Sequence, residues 1–397
     1  MIKITEDISQ PNTAQDWFKQ GVLYDQEGNL ENALECYQKS IEIDPDFMLP
    51  WYNMGVIFLE DLCEYQKAKK CFDKATNLDP KNADAWLNNG KTLYHLNYHQ
   101  ESINCLDKVI ELEPKNSYAW YNKGGSLIKL GRIEEALECY DKATKIDSKY
   151  LDAWNNKGHT LDKLRYYQKA IECYDTILEI EPNFVNAWNN KGVSLSNQGH
   201  NELAITCYDK AIEIDPAYSN AWYNKGRAFY EIGKYEESVK CLEKAIEINP
   251  NDATAWYNIG NTLYLLEHHQ KAVKCYDEAI KIEPNHPGAW SNKGVALLEL
   301  GQHQEANRCL DKALEINPDN SDAWLNKGIA VDILGKSEEV LKCFDKAIEI
   351  EPNNAKALLN KAIVLYHLGK SEEADEFMKK AIEINPEYAH ALKQFTD

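Results

Sequence analysis

Residues 221–230 read AWYNKGRAFY, and the same frame, A-W-x-N-K-G, opens again at Ala119, Ala153, Ala187 and Ala323. The frame recurs because the whole chain recurs. Pro45, Pro80, Pro114, Pro182, Pro216, Pro250, Pro284, Pro318, Pro352 and Pro386 fall at steps of 34, apart from one step of 35 and one of 68, where Ser148 holds the skipped place. All ten tryptophans, Trp17 to Trp324, share one phase, and ten of the eleven cysteines, Cys36 to Cys343, share another. A fixed period of this length is the signature of stacked repeats, in which one unit cannot bury its apolar face without a neighbour.

Each unit predicts two amphipathic helices. In 219–252 the first runs from about Ser219 to Ile232 and stops at Gly233, where a positive φ is needed. The second runs from about Tyr235 to Ile248 and ends before Pro250, which cannot continue it. Val239, Cys241, Leu242, Ala245, Ile246 and Ile248 are spaced for a buried helix face. Gly226 costs about 1 kcal/mol in mid-helix, so it is expected where the partner helix comes close.

Numbered from 1 within each unit, the chain carries Trp at 4, Gly at 8, a large apolar residue at 11, Ala at 20, an aromatic at 24, Ala at 27 and Pro at 32. In 219–252 these places hold Trp222, Gly226, Phe229, Ser238, Leu242, Ala245 and Pro250; in 185–218 they hold Trp188, Gly192, Leu195, Ala204, Tyr208, Ala211 and Pro216. This pattern resembles the tetratricopeptide repeat family. The resemblance extends over eleven units, numbered here from repeat 1 (14–47) to repeat 11 (355–388). It implies an all-α fold, a right-handed superhelical solenoid of eleven tandem 34-residue helix-turn-helix repeats, continuous over 14–388. Residues 1–13 are expected to be a poorly ordered lead-in, and 389–397 to begin a short capping helix. Three departures stand out. Repeat 2 (48–82) has Pro50 in its opening turn and one extra residue, expected in the inter-helix turn Asp61-Leu62-Cys63-Glu64. Repeat 5 puts Arg165 in place of the turn glycine. Repeat 11 has Leu358, Phe377 and Met378 where the others carry Trp, Cys and the large position-24 residue.

Composition narrows the function. The net charge of −20 disfavours nucleic acid and suits either solubility of an elongated chain or a basic protein partner. No apolar run is long enough for a membrane span, and MIKITEDISQ has no apolar signal core, so a cytoplasmic location is expected. The cysteines never form C-x-x-C; they read as small buried thiols in a reducing compartment, with Cys63 in the inserted turn as the exposed exception. His99, His200, His268, His269 and His303 read as solvated turn residues. There is no phosphate-binding glycine loop, nucleophile elbow or H-E-x-x-H, so no catalytic residue, metal or cofactor is expected.

What remains is position 6, which is Asn53, Asn88, Asn122, Asn156, Asn190, Asn224, Asn258, Asn292, Asn326 and Asn360, with Lys19 the exception. An amide side chain offers both a donor and an acceptor, matching a peptide backbone. The family resemblance implies that the first helices line a concave groove and that position 6 faces it. The arrangement is similar to the repeat arm of O-linked N-acetylglucosamine transferase, which implies a ladder gripping an extended peptide. The competing reading is that these asparagines bond to the adjacent repeat.

Positions 5, 9 and 12 would then set specificity. Repeats 7 and 8 give Tyr223, Arg227, Tyr230, Tyr257, Asn261 and Tyr264, a surface of the kind enriched in binding sites; the alternative is inter-repeat packing of these tyrosines. Repeats 10 and 11 give the apolar Leu325, Ile329, Leu359 and Ile363 with Tyr366. With Asp84, Tyr118 and Asp152 at position 2, the basic cluster that captures a C-terminal carboxylate is missing. Position 7 is Lys in seven units, Lys123, Lys157, Lys191, Lys225, Lys293, Lys327 and Lys361; each stem is expected to lie on apolar surface with its charge near an acid. The function these features predict is a non-enzymatic scaffold or adaptor for a protein or peptide partner. The alternative is a structural spacer or a rod that self-associates through its terminal repeats.

Overall fold

The computed structural model describes residues 12–335 and 337–389. Of the lead-in expected over 1–13 and the capping helix expected over 389–397, residues 1–11 and 390–397 lie outside the described residues. Among those described there are twenty-two α-helices, two per repeat, and no strand. In repeat 7 the first helix, helix A, is Ser219–Glu231 and the second, helix B, is Tyr235–Ile248.

The connection between them follows from backbone bookkeeping. Gly233 takes φ +76°; its N–H donates to the Tyr230 carbonyl and the Lys234 N–H to that of Phe229. This closes the orphan carbonyls at the helix end. The same left-handed geometry is imposed on residues with a Cβ at Asn97 (φ 62°), Arg165 (φ 61°) and Glu267 (φ 61°). Helix A begins on a side-chain cap wherever position 34 of the preceding repeat allows one, as in Asn82, Asn116, Asp252, Asn320 and Asn354. Where that residue is Phe47, Tyr150 or Tyr218 there is no cap bond.

Repeat 2 departs from expectation. Its extra residue is absorbed by the last turn of helix A rather than by the connecting turn: Met48–Val56 is α-helical and Ile57–Asp61 widens into a π-helical turn. An insertion accommodated this way keeps its backbone hydrogen-bonded, and it buries Ile57, Phe58 and Leu59. Cys63, at φ 52°, then takes the place of the turn glycine and is exposed. The other ten cysteines are buried.

Three devices recur between and within repeats. Gly at position 8 is a contact point: a Cβ at Gly226 would lie 2.7 Å from Leu242 Cγ, and one at Gly192 2.5 Å from Tyr208 Cε1. The position-4 tryptophan does more than fill space. Its indole N–H donates to the carbonyl six residues earlier, as in Trp222 to Pro216 (3.0 Å), Trp290 to Pro284 (2.9 Å) and Trp154 to Ser148 (3.0 Å). The position-7 lysine pairs with the aspartate at position 25 of the preceding repeat. Lys225 reaches Asp209 at 2.5 Å and Lys327 reaches Asp311 at 2.7 Å. Its stem is covered, and its ammonium lies 5.5 Å from the Trp222 ring. Where position 25 is Glu243 the following position 7 is Ile259, so both partners change together.

The chain divides into two compact units, Met1–Ala187 and Trp188–Asp397. Within each, helix A packs on its own helix B, which packs on the next helix A. Successive first helices also touch: Ala83–His95 with Ser117–Lys129 in the first unit, and Ser219–Glu231, Ala253–Leu265, Pro287–Glu299, Ser321–Ile333 and Ala355–His367 in series in the second. Each unit is thus a solenoid of helix pairs whose first helices form one layer.

Candidate functional site

The ladder asparagines lie on this layer, and for seven of them the partner follows the residue at position 5 of the preceding repeat. At five boundaries where that residue is tyrosine or asparagine, the Asn Nδ2 donates across the boundary. Asn88 bonds to Tyr52 Oη (3.1 Å), Asn156 to Tyr121 Oη (3.1 Å), Asn224 to Asn189 Oδ1 (2.9 Å), Asn258 to Tyr223 Oη (2.9 Å) and Asn292 to Tyr257 Oη (3.1 Å). Where it is leucine, the amide turns back to its own helix: Asn122 bonds to the Tyr118 carbonyl (2.8 Å) and Asn360 to the Lys356 carbonyl (2.9 Å). The leucines concerned are Leu87 and Leu325. In repeat 2, Asn53 instead finds Tyr37 Oη at 3.1 Å.

The specificity residues of repeats 7 and 8 divide into two groups. Tyr223 and Tyr257 serve the ladder as acceptors. Tyr230, Asn261 and Tyr264 line a cavity of about 220 Å³ together with Leu265, Tyr276, Asn292 and Val295. A second cavity of about 210 Å³ shares Tyr230 and Asn261 and is completed by Arg227, Glu231, Leu242, Asn258 and Thr262. Arg227 is exposed, with its guanidinium 6.0 Å from the Tyr223 ring centre. Asn261 Oδ1 accepts from Tyr276 Oη and from Asn292 Nδ2, both at 2.9 Å.

In repeats 10 and 11 the apolar stretch is partly withdrawn. Leu325 is 4% exposed, inside the core formed with Val331, Val340 and Phe344, and Ile329 packs on the same cluster. A side chain that the pattern placed in the groove is thus taken up by packing between repeats. Leu359, Ile363 and Tyr366 remain half-buried, and the Tyr366 hydroxyl donates to Asp375. That neighbour, after burial, pushes the Tyr366 phenol up to about 12.

Two features escaped the pattern. The aromatic residue at position 34 joins this surface, as Tyr150 lies with ring centres 5.0 Å from both Tyr118 and Tyr121. The alternation of Asn or Asp with Phe or Tyr at position 34 was the available signal. The histidines also differ from expectation. His99, His269 and His303 open helix B rather than sitting in solvated turns, and their Nδ1 atoms are buried without a hydrogen-bond partner. Burial pushes the thiols of Cys71, Cys105 and Cys275 up to about 12, away from nucleophilic chemistry.

Tandem helix pairs with a hydrogen-bonded, cavity-bearing layer of first helices define a helical-repeat protein. The chain belongs to the tetratricopeptide repeat family. The repeat model matches 14–47, 117–150, 151–184, 253–286, 287–320 and 321–354. Related tetratricopeptide models match 50–82, 83–116 and 343–376, and a TPR repeat model matches 195–233 and 226–267. Among solved structures, the chain is similar to YrrB, described as a TPR protein with an unusual peptide-binding site (27% identity over 48% of this chain and 98% of that one, TM-score 0.44). It is also similar to the Cut9-Hcn1 hetero-tetramer of the APC/C (17%, 97% and 76%, TM-score 0.49) and to MamA (23%, 43% and 92%, TM-score 0.40). No curated protein matches the chain. The tetratricopeptide fold is a protein–protein interaction scaffold and is generally non-catalytic. No helix among the described residues is long and apolar enough to cross a membrane.

Proposed function

We propose that the chain is a non-enzymatic adaptor that holds an extended segment of a partner protein against its first helices. The ladder asparagines contact the partner's backbone, and the cavities of repeats 7 to 9 take its side chains. The observation that carries this reading is that Asn258 and Asn292 line those cavities with their amides already oriented by Tyr223 and Tyr257. A polar group fixed before the ligand arrives loses less freedom on binding. At about 1 kcal/mol per net hydrogen bond, five rungs contribute about 5 kcal/mol. Ordering the peptide offsets part of this. The backbone grip alone is therefore of millimolar order, about −4 kcal/mol, and selectivity comes from the side-chain cavities. The net charge of −20 favours a basic segment, and the free thiols suit a reducing cytoplasm.

The test replaces Asn190, Asn224 and Asn258 together by alanine and measures binding of a fluorescein-labelled pool of unstructured peptides by anisotropy. Binding is expected to vanish while helicity by circular dichroism is kept. Tyr223→Phe is the control, because it frees the Asn258 amide without removing it. Undiminished binding by the triple variant would mean that the ladder is not the grip.

A further inference from the structure

We propose that the cavity between the first helices of repeats 7, 8 and 9 is a pocket for a cationic side chain, the lysine or arginine of the bound segment. This rests on the groove reading above and gives one position of the ligand its chemistry.

The walls are three tyrosines, Tyr230, Tyr264 and Tyr276, with Leu265 and Val295 closing the apolar sides and Asn261 and Asn292 facing in. Aromatic faces attract a cation through the negative face of the ring, and the aliphatic residues suit the methylene stem of such a side chain. Two of the polar groups on the walls have their donors in use and can offer acceptors. Tyr276 Oη donates to Asn261 at 2.9 Å. The Asn292 amide nitrogen donates to Tyr257 and to Asn261, which uses both of its N–H groups and leaves Oδ1 as an acceptor. Ammonium and guanidinium groups are donors only, and Asn292 Oδ1 with the phenol oxygens offers them acceptors.

Charge points the same way. The Glu299 carboxylate lies close enough to Tyr264 to raise its phenol, after burial, and Glu231 acts likewise on Tyr230. Burial first, and then the Tyr257 phenol, pushes the Tyr276 phenol up. Arg227 lines the adjoining cavity with Glu231, its guanidinium 6.0 Å from the Tyr223 ring centre. The chain as a whole carries −20.

The test uses fluorescein-labelled ten-residue Ala/Ser peptides with a single central lysine, norleucine or glutamate, titrated by anisotropy. Norleucine keeps the stem of lysine and removes the charge. The lysine peptide is expected to bind about fivefold more tightly than the norleucine peptide, the upper end of an exposed cation–π contact. The preference is expected to fall to parity in Tyr264→Leu, which removes one ring, and in Val295→Phe, which fills the cavity from the opposite wall. Melting curves confirm that both variants stay folded. Equal binding of all three peptides, or tighter binding of glutamate through Arg227, overturns the cationic pocket and leaves the groove reading standing. Absence of binding by every peptide overturns the groove reading, and the pocket with it.

Discussion

Adjacent glycines in one helix should respond to the same substitution with opposite signs. Gly124 and Gly125 both lie inside helix Ser117–Lys129. Replacing a mid-helix glycine by alanine gains about 1 kcal/mol from backbone entropy alone. At Gly125 that gain stands, since the new Cβ meets only Tyr94 Cε2 at 3.9 Å, an ordinary contact. At Gly124 the Cβ falls 2.6, 2.9 and 3.0 Å from three ring atoms of Tyr140. That ring is 2% exposed and cannot swing aside unless helix Ile133–Ile146 moves as well. Overpacking of this kind costs up to about 3 kcal/mol, which leaves Gly124→Ala destabilised by about 2 kcal/mol. Native-state hydrogen exchange over 117–129 reads the local opening energy without requiring two-state unfolding of a repeat array. Exchange should slow about fivefold in Gly125→Ala and quicken about thirtyfold in Gly124→Ala, by the tenfold-per-1.4 kcal/mol conversion. Shifts of the same sign at both positions would refute the close-approach argument for position 8.

Asp209→Ala should cost about 2 kcal/mol and Lys225→Met under about 1 kcal/mol, measured by exchange protection of helix Ser219–Glu231. The reason is that the Lys225 side chain is 16% exposed against 45% for Asp209, so removing the acid strands a covered charge, while removing the lysine leaves a hydrated one. Equal losses would show that the pair acts as an ordinary surface bridge. Alkali should unfold the chain in a window set by its thiols. The folded state holds Cys71, Cys105 and Cys275 protonated up to about 12 against an ordinary 9.0. Their contribution is therefore complete below about 9 and lost as the pH rises toward about 12. Urea midpoints should fall across that range, less steeply in Cys71→Ala with Cys275→Ala, and a flat profile contradicts the burial. Leu87→Tyr should supply the missing acceptor for Asn122, turning its amide from the Tyr118 carbonyl to the new phenol and adding about 1 kcal/mol. A side-chain amide resonance for Asn122 that does not move would sink the position-5 rule.

The fold was legible because its determinants are local and repeated. Proline at 32, glycine in the turn and one apolar stripe per helix each follow from backbone geometry that a single unit displays. Even Arg165, which breaks the turn pattern, keeps φ 61° because ten other units and the packed helices around it require that turn. The parts that were not legible depend on two repeats at once. Nothing in A-W-Y-N-K-G says where Asn224 donates; Asn189, thirty-five residues earlier, decides it. Lys225 is expected near an acid, but that the acid is Asp209 is decided by the preceding repeat. The acceptor for the Trp222 N–H is a backbone carbonyl, which no sequence pattern marks. The inserted residue of repeat 2 could enter the helix or the turn at similar cost by sequence, and the π-helical turn at Ile57–Asp61 is what its apolar residues permit by burying themselves.

These cross-repeat contacts separate the side chains that build the array from those free to vary. The tryptophan N–H and the lysine–aspartate pair hold each repeat to its neighbour, and the position-8 glycine holds the two helices of one repeat together, none of them using positions 9 or 12. The Glu243 and Ile259 pair shows that one boundary can exchange its ion pair for an apolar contact while the frame on either side, Trp222 to Pro216 and Trp290 to Pro284, is kept. Boundaries are therefore set one at a time, as expected of nearest-neighbour stability in a repeat array. Position 5 is the exception, because it serves both roles: as tyrosine it fixes the next ladder amide and stands beside the cavities, and as leucine, at Leu325, it is drawn into the core and releases Asn360 to its own helix. A change at position 5 therefore alters stability and the aim of a ladder rung together. Arg227, Tyr230 and Val295, at positions 9 and 12, line the cavities without orienting a ladder amide, so under the proposed groove reading they are where the choice of partner would change with least effect on the fold.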